Sequence, residues 1–318
     1  MILAGWFVFL GAMSDVEMHH VPVLLEPIIA RARGSVRVVD GTLGHGGHAA
    51  AFLAGGAEVL GIDRDPDAIR TAQSRIAVGA RIRYLQAQYA SDEALAAIQR
   101  FHPDFVLLDL GVSSRQLDDE RRGFTFRPGA PLDMRMGPDA PTAAEWLMTA
   151  DEATIATVFR DYGDEPRARR LGAEVVRRRG NAAFVTSDDL VNAIRAALGP
   201  RSGPAEFARI FQAVRIAVND ELVGLQRALP AIREALGPGG TLAVISYHSG
   251  EDRQVKGAFR EWSAGCICPG GLPQCVCGHV PLGIAHPRKA VVPSDGEIAA
   301  NSRARSAKLR FFRNRDAG

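Results

Sequence analysis

From residue 36 onward the chain alternates short β-branched runs with amphipathic stretches. Residues 36–40, 58–63, 82–86 and 105–110 read as strands, and the segments between them carry helical periodicity. One helix is expected to start at His48. The next starts at Asp65-Pro66, a capping carboxylate followed by a proline at the first helical position, and runs to about Ile76. A third spans 91–101. Strands alternating with helices at this spacing predict βαβ units in a parallel, doubly wound sheet. The rhythm stops after Leu110. Residues 114–203 hold helical pieces and Pro/Gly loops, with a capping-box start at Thr186-Ser187-Asp188-Asp189. Phe207, Phe211, Val214, Val218, Leu222, Leu225 and Leu229 then predict one long helix ending at Gly237-Pro238-Gly239-Gly240. Strand 241–246, helix 252–262 and strand 307–312 complete the pattern. The expected fold is α/β, a Rossmann-like sheet from 19–114 and 205–318 interrupted by a helical domain at 115–204.

Composition adds bounds. The 318 residues are 47% hydrophobic and 23% charged, ordinary for a globular chain. The apolar run from Met1 to Met13 is shorter than the roughly 20 residues a bilayer span needs, and it lacks the basic start of a signal peptide. A soluble cytoplasmic protein with no membrane partner is expected. Residues 1–18 read as a non-native or disordered extension, with Met13 and Met18 as alternative starts.

The net charge of +2 conceals an asymmetry. Of 38 basic residues only three are lysine: Lys256, Lys289 and Lys308. A GC-rich genome accounts for arginine over lysine, but not for placement. Eleven arginines lie between Arg160 and Arg215, and residues 286–315 hold eight basic groups against two acidic ones. Basic groups on the insertion and the tail suit a phosphate-rich partner.

The turn Asp40-Gly41-Thr42-Leu43-Gly44-His45-Gly46-Gly47-His48 joins the first strand to its helix, and its glycines let a ligand approach a helix N-terminus. Asp63 ends the second strand, 19 residues beyond Gly44, where a carboxylate can accept bonds from ribose hydroxyls. Gly44-x-Gly46-x-x-Ala49 fits a relaxed dinucleotide fingerprint and hence an NAD-linked oxidoreductase. Asp40 with Gly44 and Gly46 fits equally the acidic-then-glycine motif of S-adenosylmethionine enzymes. Tyr89 could lay its ring on an adenine. Asp109, Ser113 and Ser114 stand at the carboxyl end of the fourth strand, where doubly wound sheets bind ligands.

At these residues the sequence resembles the bacterial ribosomal RNA small subunit methyltransferase H family. The likeness rests on Asp40–His48 and on blocks at 109–118 (DLGVSSRQLD), 123–126 (GFTF), 131–136 (PLDMRM), 211–219 (FQAVRIAVN), 246–256 (SYHSGEDRQVK) and 301–306 (NSRARS). The resemblance implies a Rossmann-like S-adenosylmethionine methyltransferase sheet with an inserted helical domain that binds substrate. It implies N4-methylation of a cytidine in the decoding (P-site) region of 16S rRNA within the small ribosomal subunit. It places S-adenosyl-L-methionine contacts on Gly46, Gly47, His48, Asp63, Tyr89, Asp109 and Gln116. An Asp/Asn-Pro-Pro-aromatic motif, frequent in amino-methyltransferases, is replaced here by Asp109-Leu110-Gly111-Val112.

The catalytic shell expected around N4 is Asp109 with Ser113 or Ser114 and His248. His248 could equally fix the start of the following helix. Gln212, Arg215 and Asn219 share a helix face that could meet the base or simply solvent. Besides the oxidoreductase, a non-catalytic RNA-binding assembly factor with a vestigial pocket is the other reading. Cys266-x-Cys268 and Cys275-x-Cys277 offer zinc ligands at a spacing tighter than C-x2-C. The resemblance does not require them, so no metal is assigned to the active site.

Overall fold

The computed structural model describes residues 22–268, 274 and 276–316. The oily N-terminal run and Cys275 therefore lie outside the described residues. Seven strands form one sheet: β1 (Arg37–Asp40), β2 (Glu58–Asp63), β3 (Ile82–Gln86), β4 (Phe105–Asp109), β5 (Thr241–Ser246), β6 (Gly283–Ala285) and β7 (Lys308–Asn314). Their order is β3-β2-β1-β4-β5-β7-β6, with β1 to β5 parallel and β7 antiparallel to both its neighbours. The order reverses direction at β1 and β4, which opens a crevice at their carboxyl ends.

Side chains of the parallel strands alternate between two buried faces, as a sheet covered on both sides requires. Val39, Leu60, Val106 and Val244 pack under the helices Asp92–Phe101, Glu221–Ala235 and Ser249–Trp262. Val38, Val59, Leu107 and Ile245 pack under Leu25–Ala32, Gly47–Ala54 and Pro66–Arg75. The Asp65 cap forms as the sequence predicts, its Oδ1 accepting from the Asp67 N–H at 3.0 Å.

The insertion has its own apolar core, built on Ala143–Thr149, Glu152–Asp161, Ala168–Arg179 and Ser187–Leu198. The Thr186 capping box is present, with the Thr186 N–H donating to Asp189 Oδ2 at 2.8 Å. Phe207, Ile210, Phe211, Val214 and Val218 join this core, so it reaches past residue 204.

The long helix expected over 207–229 is two helices, Pro204–Asn219 and Glu221–Ala235. Asp220 between them takes a left-handed backbone conformation, φ 53°. The break lets the first helix serve the insertion while the second returns to the sheet. It also leaves Asn219 and Glu221 at the crevice.

Candidate active site

The crevice is a pocket lined from the ends of β1, β2, β4 and β5, from the loop after β3 and from the helix break. Its empty volume, with the open mouth included, is about 950 Å³.

The glycine turn after β1 is held from both sides. Gly41 N–H donates to Leu107 O at 2.9 Å and Leu43 N–H to Ile62 O at 2.9 Å. Gly44 N–H donates to Asp63 Oδ2 at 2.8 Å, and Asp65 N–H to Asp63 Oδ1 at 2.8 Å. Asp63 thus fixes the turn and still lines the pocket with spare lone pairs. Burial pushes its carboxyl up to about 6, against the pull of these two N–H donors.

Of the residues expected to hold a cofactor, Asp63, Tyr89, Asp109 and Gln116 line the pocket, as does Ser113. Tyr89 is half-buried beside Gln88, and burial raises its phenol well above its ordinary range. Gln116 Nε2 donates to Asp65 Oδ2 at 2.9 Å, and Arg122 Nη1 donates to the same oxygen at 2.9 Å. Ser113 accepts from the Gln116 N–H at 3.3 Å, while Gln116 Oε1 accepts from the Ser113 N–H at 2.9 Å. This capping box starts the helix Ser114–Asp118 and engages the Ser113 hydroxyl in positioning Gln116.

Gly46, Gly47 and His48 sit beneath the turn and outside the pocket lining. Gly46, at φ 76°, is the left-handed residue before the helix, and a Cβ there would lie 3.2 Å from Ala72 Cβ. A Cβ on Gly47 would lie 2.5 Å from the Pro22 ring. His48 Nε2 is 3.1 Å from Val23 O, and burial holds its imidazole down at about 4. It is a neutral anchor for the N-terminal segment.

Asp109 ends β4, and its N–H donates to Thr42 Oγ1 at 2.6 Å. Its Oδ1 accepts from the Tyr247 hydroxyl at 2.8 Å. Burial lifts the carboxyl to about 7, with the Tyr247 hydrogen bond opposing the rise. Asp40 at the end of β1 is also pushed up to about 7, by burial and by the charges of Asp109 and Asp63. Asp40 lies beneath the pocket, whose own wall carries the carboxyl groups of Asp63, Asp109, Glu221 and Glu251, an acidic lining that suits a cationic ligand.

His248 does not line the pocket. Its Nδ1 accepts from the Glu251 N–H at 3.4 Å at the start of the helix Ser249–Trp262, the positioning alternative raised by the sequence. The neighbours Tyr247 and Glu251 take the wall positions instead, with Tyr247 N–H donating to Glu251 Oε2 at 2.8 Å. Arg215 turns inward, its Nε and Nη2 donating to Glu221 Oε1 and Oε2 at 2.9 and 3.0 Å. Asn219 is buried, donating to Met134 O at 2.7 Å and accepting from the Met136 N–H at 2.8 Å. It clips the 131–136 loop to the pocket, where Met136 forms wall. Tyr247, Glu251, Glu221 and Asn219 carry the polar wall. The sequence signal for them was their place in the SYHSGEDRQVK and FQAVRIAVN blocks.

The basic insertion is more self-satisfied than its arginine count suggests. Arg177 and Arg178 pair with Glu174, Arg160 with Asp161, and Arg209 with Glu165. Arg179 donates to Leu147 O and Ala150 O. Arg169, Arg170 and Arg201 are exposed, and no described residue hydrogen-bonds or ion-pairs with their side chains. No helix among the described residues is long and apolar enough to cross a membrane.

The sequence matches known proteins over nearly all of its length. The sequence profile of the MraW methylase family matches residues 17–315. A ribosomal RNA small subunit methyltransferase H from Gemmatimonas aurantiaca is 56% identical over 300 residues, covering 93% of this chain and 95% of that protein. The protein of the same name from Heliobacterium modesticaldum is 46% identical over 304 residues, covering 92% and 97%. A solved rRNA methylase from Streptococcus thermophilus aligns over 92% of this chain and 94% of its own at 11% identity, with a TM-score of 0.39. Matched from before its first described helix to the end of its last strand, the chain belongs to the MraW methylase family.

Proposed function

We propose that the chain transfers a methyl group from S-adenosylmethionine to the exocyclic N4 of a cytidine in the decoding (P-site) region of 16S rRNA. The observation that carries this reading is the pocket where Asp63, Tyr89 and the Asp109–Tyr247 pair converge, in a chain 56% identical to a named rRNA methyltransferase. That relationship favours methyl transfer over the dinucleotide alternative, which the glycine turn alone would also admit.

The pocket fits the cofactor. Gly44 and Gly111 both line it in left-handed conformations, φ 52° and 91°. A Cβ on Gly44 would meet nothing nearer than Thr42 O at 3.9 Å, and one on Gly111 only Tyr247 Cδ2 at 3.6 Å. Side chains there would fill the cradle. Asp63 would take the ribose hydroxyls and Tyr89 the adenine, while the acidic surroundings suit a sulfonium. Bound there, S-adenosylmethionine supplies a methyl group on a positively charged sulfur.

The cytosine amine is a weak nucleophile because its lone pair is delocalised into the ring. The chain's residues must hold N4 in line and accept its proton as the carbon–nitrogen bond forms. Holding reactants in line is worth up to about 7–11 kcal/mol in well-oriented systems. Asp109 is the acceptor. A carboxyl at about 7 is ionised in half the molecules at neutral pH and still basic enough to receive a proton. Tyr247 fixes which oxygen faces the amine, and Ser113 acts through Gln116. His248 acts through Glu251, as a positioning residue.

The test is calorimetry with S-adenosylmethionine and NADH on the wild type and Asp63→Ala. Saturable binding of S-adenosylmethionine alone, weakened by the substitution, supports the reading. Binding of NADH in its place sinks it.

A further inference from the structure

Between the helix Ser249–Trp262 and β6 the chain makes an excursion whose base is clamped. Leu282 N–H donates to Trp262 O at 2.8 Å, and Ala285 N–H to Ser263 Oγ at 2.9 Å. Methyl transfer uses none of it. Within it the sulfurs of Cys266, Cys268 and Cys277 all lie within 4.8 Å of one another.

The spacing of this group is that of a metal site. Zinc binds thiolates at about 2.3 Å in a tetrahedron, which sets neighbouring sulfurs about 3.8 Å apart. Cys277 Sγ and Cys266 Sγ are 3.8 Å apart. A disulfide needs about 2.05 Å, so this pair is not bonded. The backbone is arranged for thiolate charge as well. Cys268 N–H points at Cys266 Sγ at 3.4 Å, and His279 N–H at Cys277 Sγ at 3.5 Å, each two residues on from its cysteine. Val276 N–H points at Cys268 Sγ at 3.4 Å and ties one limb to the other. Such N–H···S contacts orient metal-bound thiolates and spread their charge. Ile267 and Val276, next to these thiols in sequence, are 62% and 79% exposed. Cys266 is exposed as well, and Cys268 and Cys277 are half-buried, so an ion can reach the sulfurs from solvent.

We propose that the Cys266–Cys277 knuckle holds one structural zinc ion, bound through the thiolates of Cys266, Cys268 and Cys277. Each thiol gives its proton to solvent on binding, and no electron is transferred. The ion clips the excursion that leads the chain from the sheet's last long helix into the edge strand β6. It stands outside the methyl-transfer pocket and takes no part in the reaction.

The test uses full-length protein purified without a histidine tag from zinc-supplemented cells. Elemental analysis should find one zinc per chain, and Cys266→Ser and Cys277→Ser should each lose at least nine-tenths of it. Because a variant could lose metal by misfolding, wild-type protein stripped with a chelator is reloaded with cobalt(II) as a second probe. The visible bands of tetrahedral thiolate cobalt should appear and vanish on adding zinc. Protease cleavage within 263–282 should quicken in the stripped protein. Protein that carries no zinc and gives no tetrahedral cobalt spectrum overturns the proposal, as does iron found in place of zinc.

Discussion

Tyr247→Phe removes one hydroxyl from the wall of the pocket and tests the role given to Asp109. The phenol donates to Asp109 Oδ1 at 2.8 Å, a neutral donor on a charged acceptor. Such bonds contribute about 1.5–3 kcal/mol. One pH unit corresponds to about 1.36 kcal/mol, so losing the bond raises the Asp109 carboxyl by about one to two pH units. Asp109 is half-buried and meets water in the open pocket, which puts the free protein at the lower end. The sign follows from the chemistry. Asp109 must be ionised to accept the N4 proton, so the rate falls as pH drops through its pKa, about 7 in the wild type. In the variant that acid limb moves to about 8–9, and the rate at pH 7 drops about five- to fiftyfold. The assay is single-turnover methyl transfer from pH 5.5 to 9.5, with S-adenosylmethionine affinity measured alongside. An acid limb left in place refutes the assignment. So does a fully active Asp109→Asn variant with unchanged cofactor affinity.

Two further variants probe the scaffold and the RNA surface. Gly123 has φ 72°, and a Cβ there would collide with Pro131 O and lie 2.7 Å from Asp133 N. Gly123→Ala should therefore cost about 2–5 kcal/mol, from a left-handed alanine plus overpacking, read as a lowered urea midpoint; an unchanged midpoint would contradict the packing described for the 123–136 loop. Arg169→Ala with Arg170→Ala should raise KM for RNA substrate, leave kcat unchanged, and reduce the log-log salt slope by about one to two, as loss of two phosphate contacts requires; an unaltered slope removes these arginines from the interface.

Much of the sheet was legible because buried parallel strands are short apolar runs bounded by turn residues. Strands at 58–63, 82–86 and 241–246 fall where the pattern places them. β6 escaped notice, since three half-exposed residues, Gly-Ile-Ala, leave no alternation to read. The helix break escaped for a different reason. Periodicity records which positions are apolar, and both helices keep the same spacing through Asp220, whose reversal needs only one φ angle. Glycine spacing located the pocket but not which glycines face it. Gly44 lines the cavity, while Gly46 and Gly47 spend their missing side chains on Ala72 and Pro22. Glu251 was the hardest to find, because a glutamate on an amphipathic helix reads as solvated. Here it is 2% exposed and is held by the Tyr247 and His248 backbones.

The proposed reaction places a methyl group on one cytosine amine of ribosomal RNA. Small subunits from a strain lacking this activity should be incubated with the protein and methyl-labelled S-adenosylmethionine, then digested to nucleosides for mass spectrometry. Label should appear in N4-methylcytidine from a single position in the decoding region. Label in 5-methylcytidine, in another base or spread over many positions would contradict it, as would no label from protein that binds the cofactor.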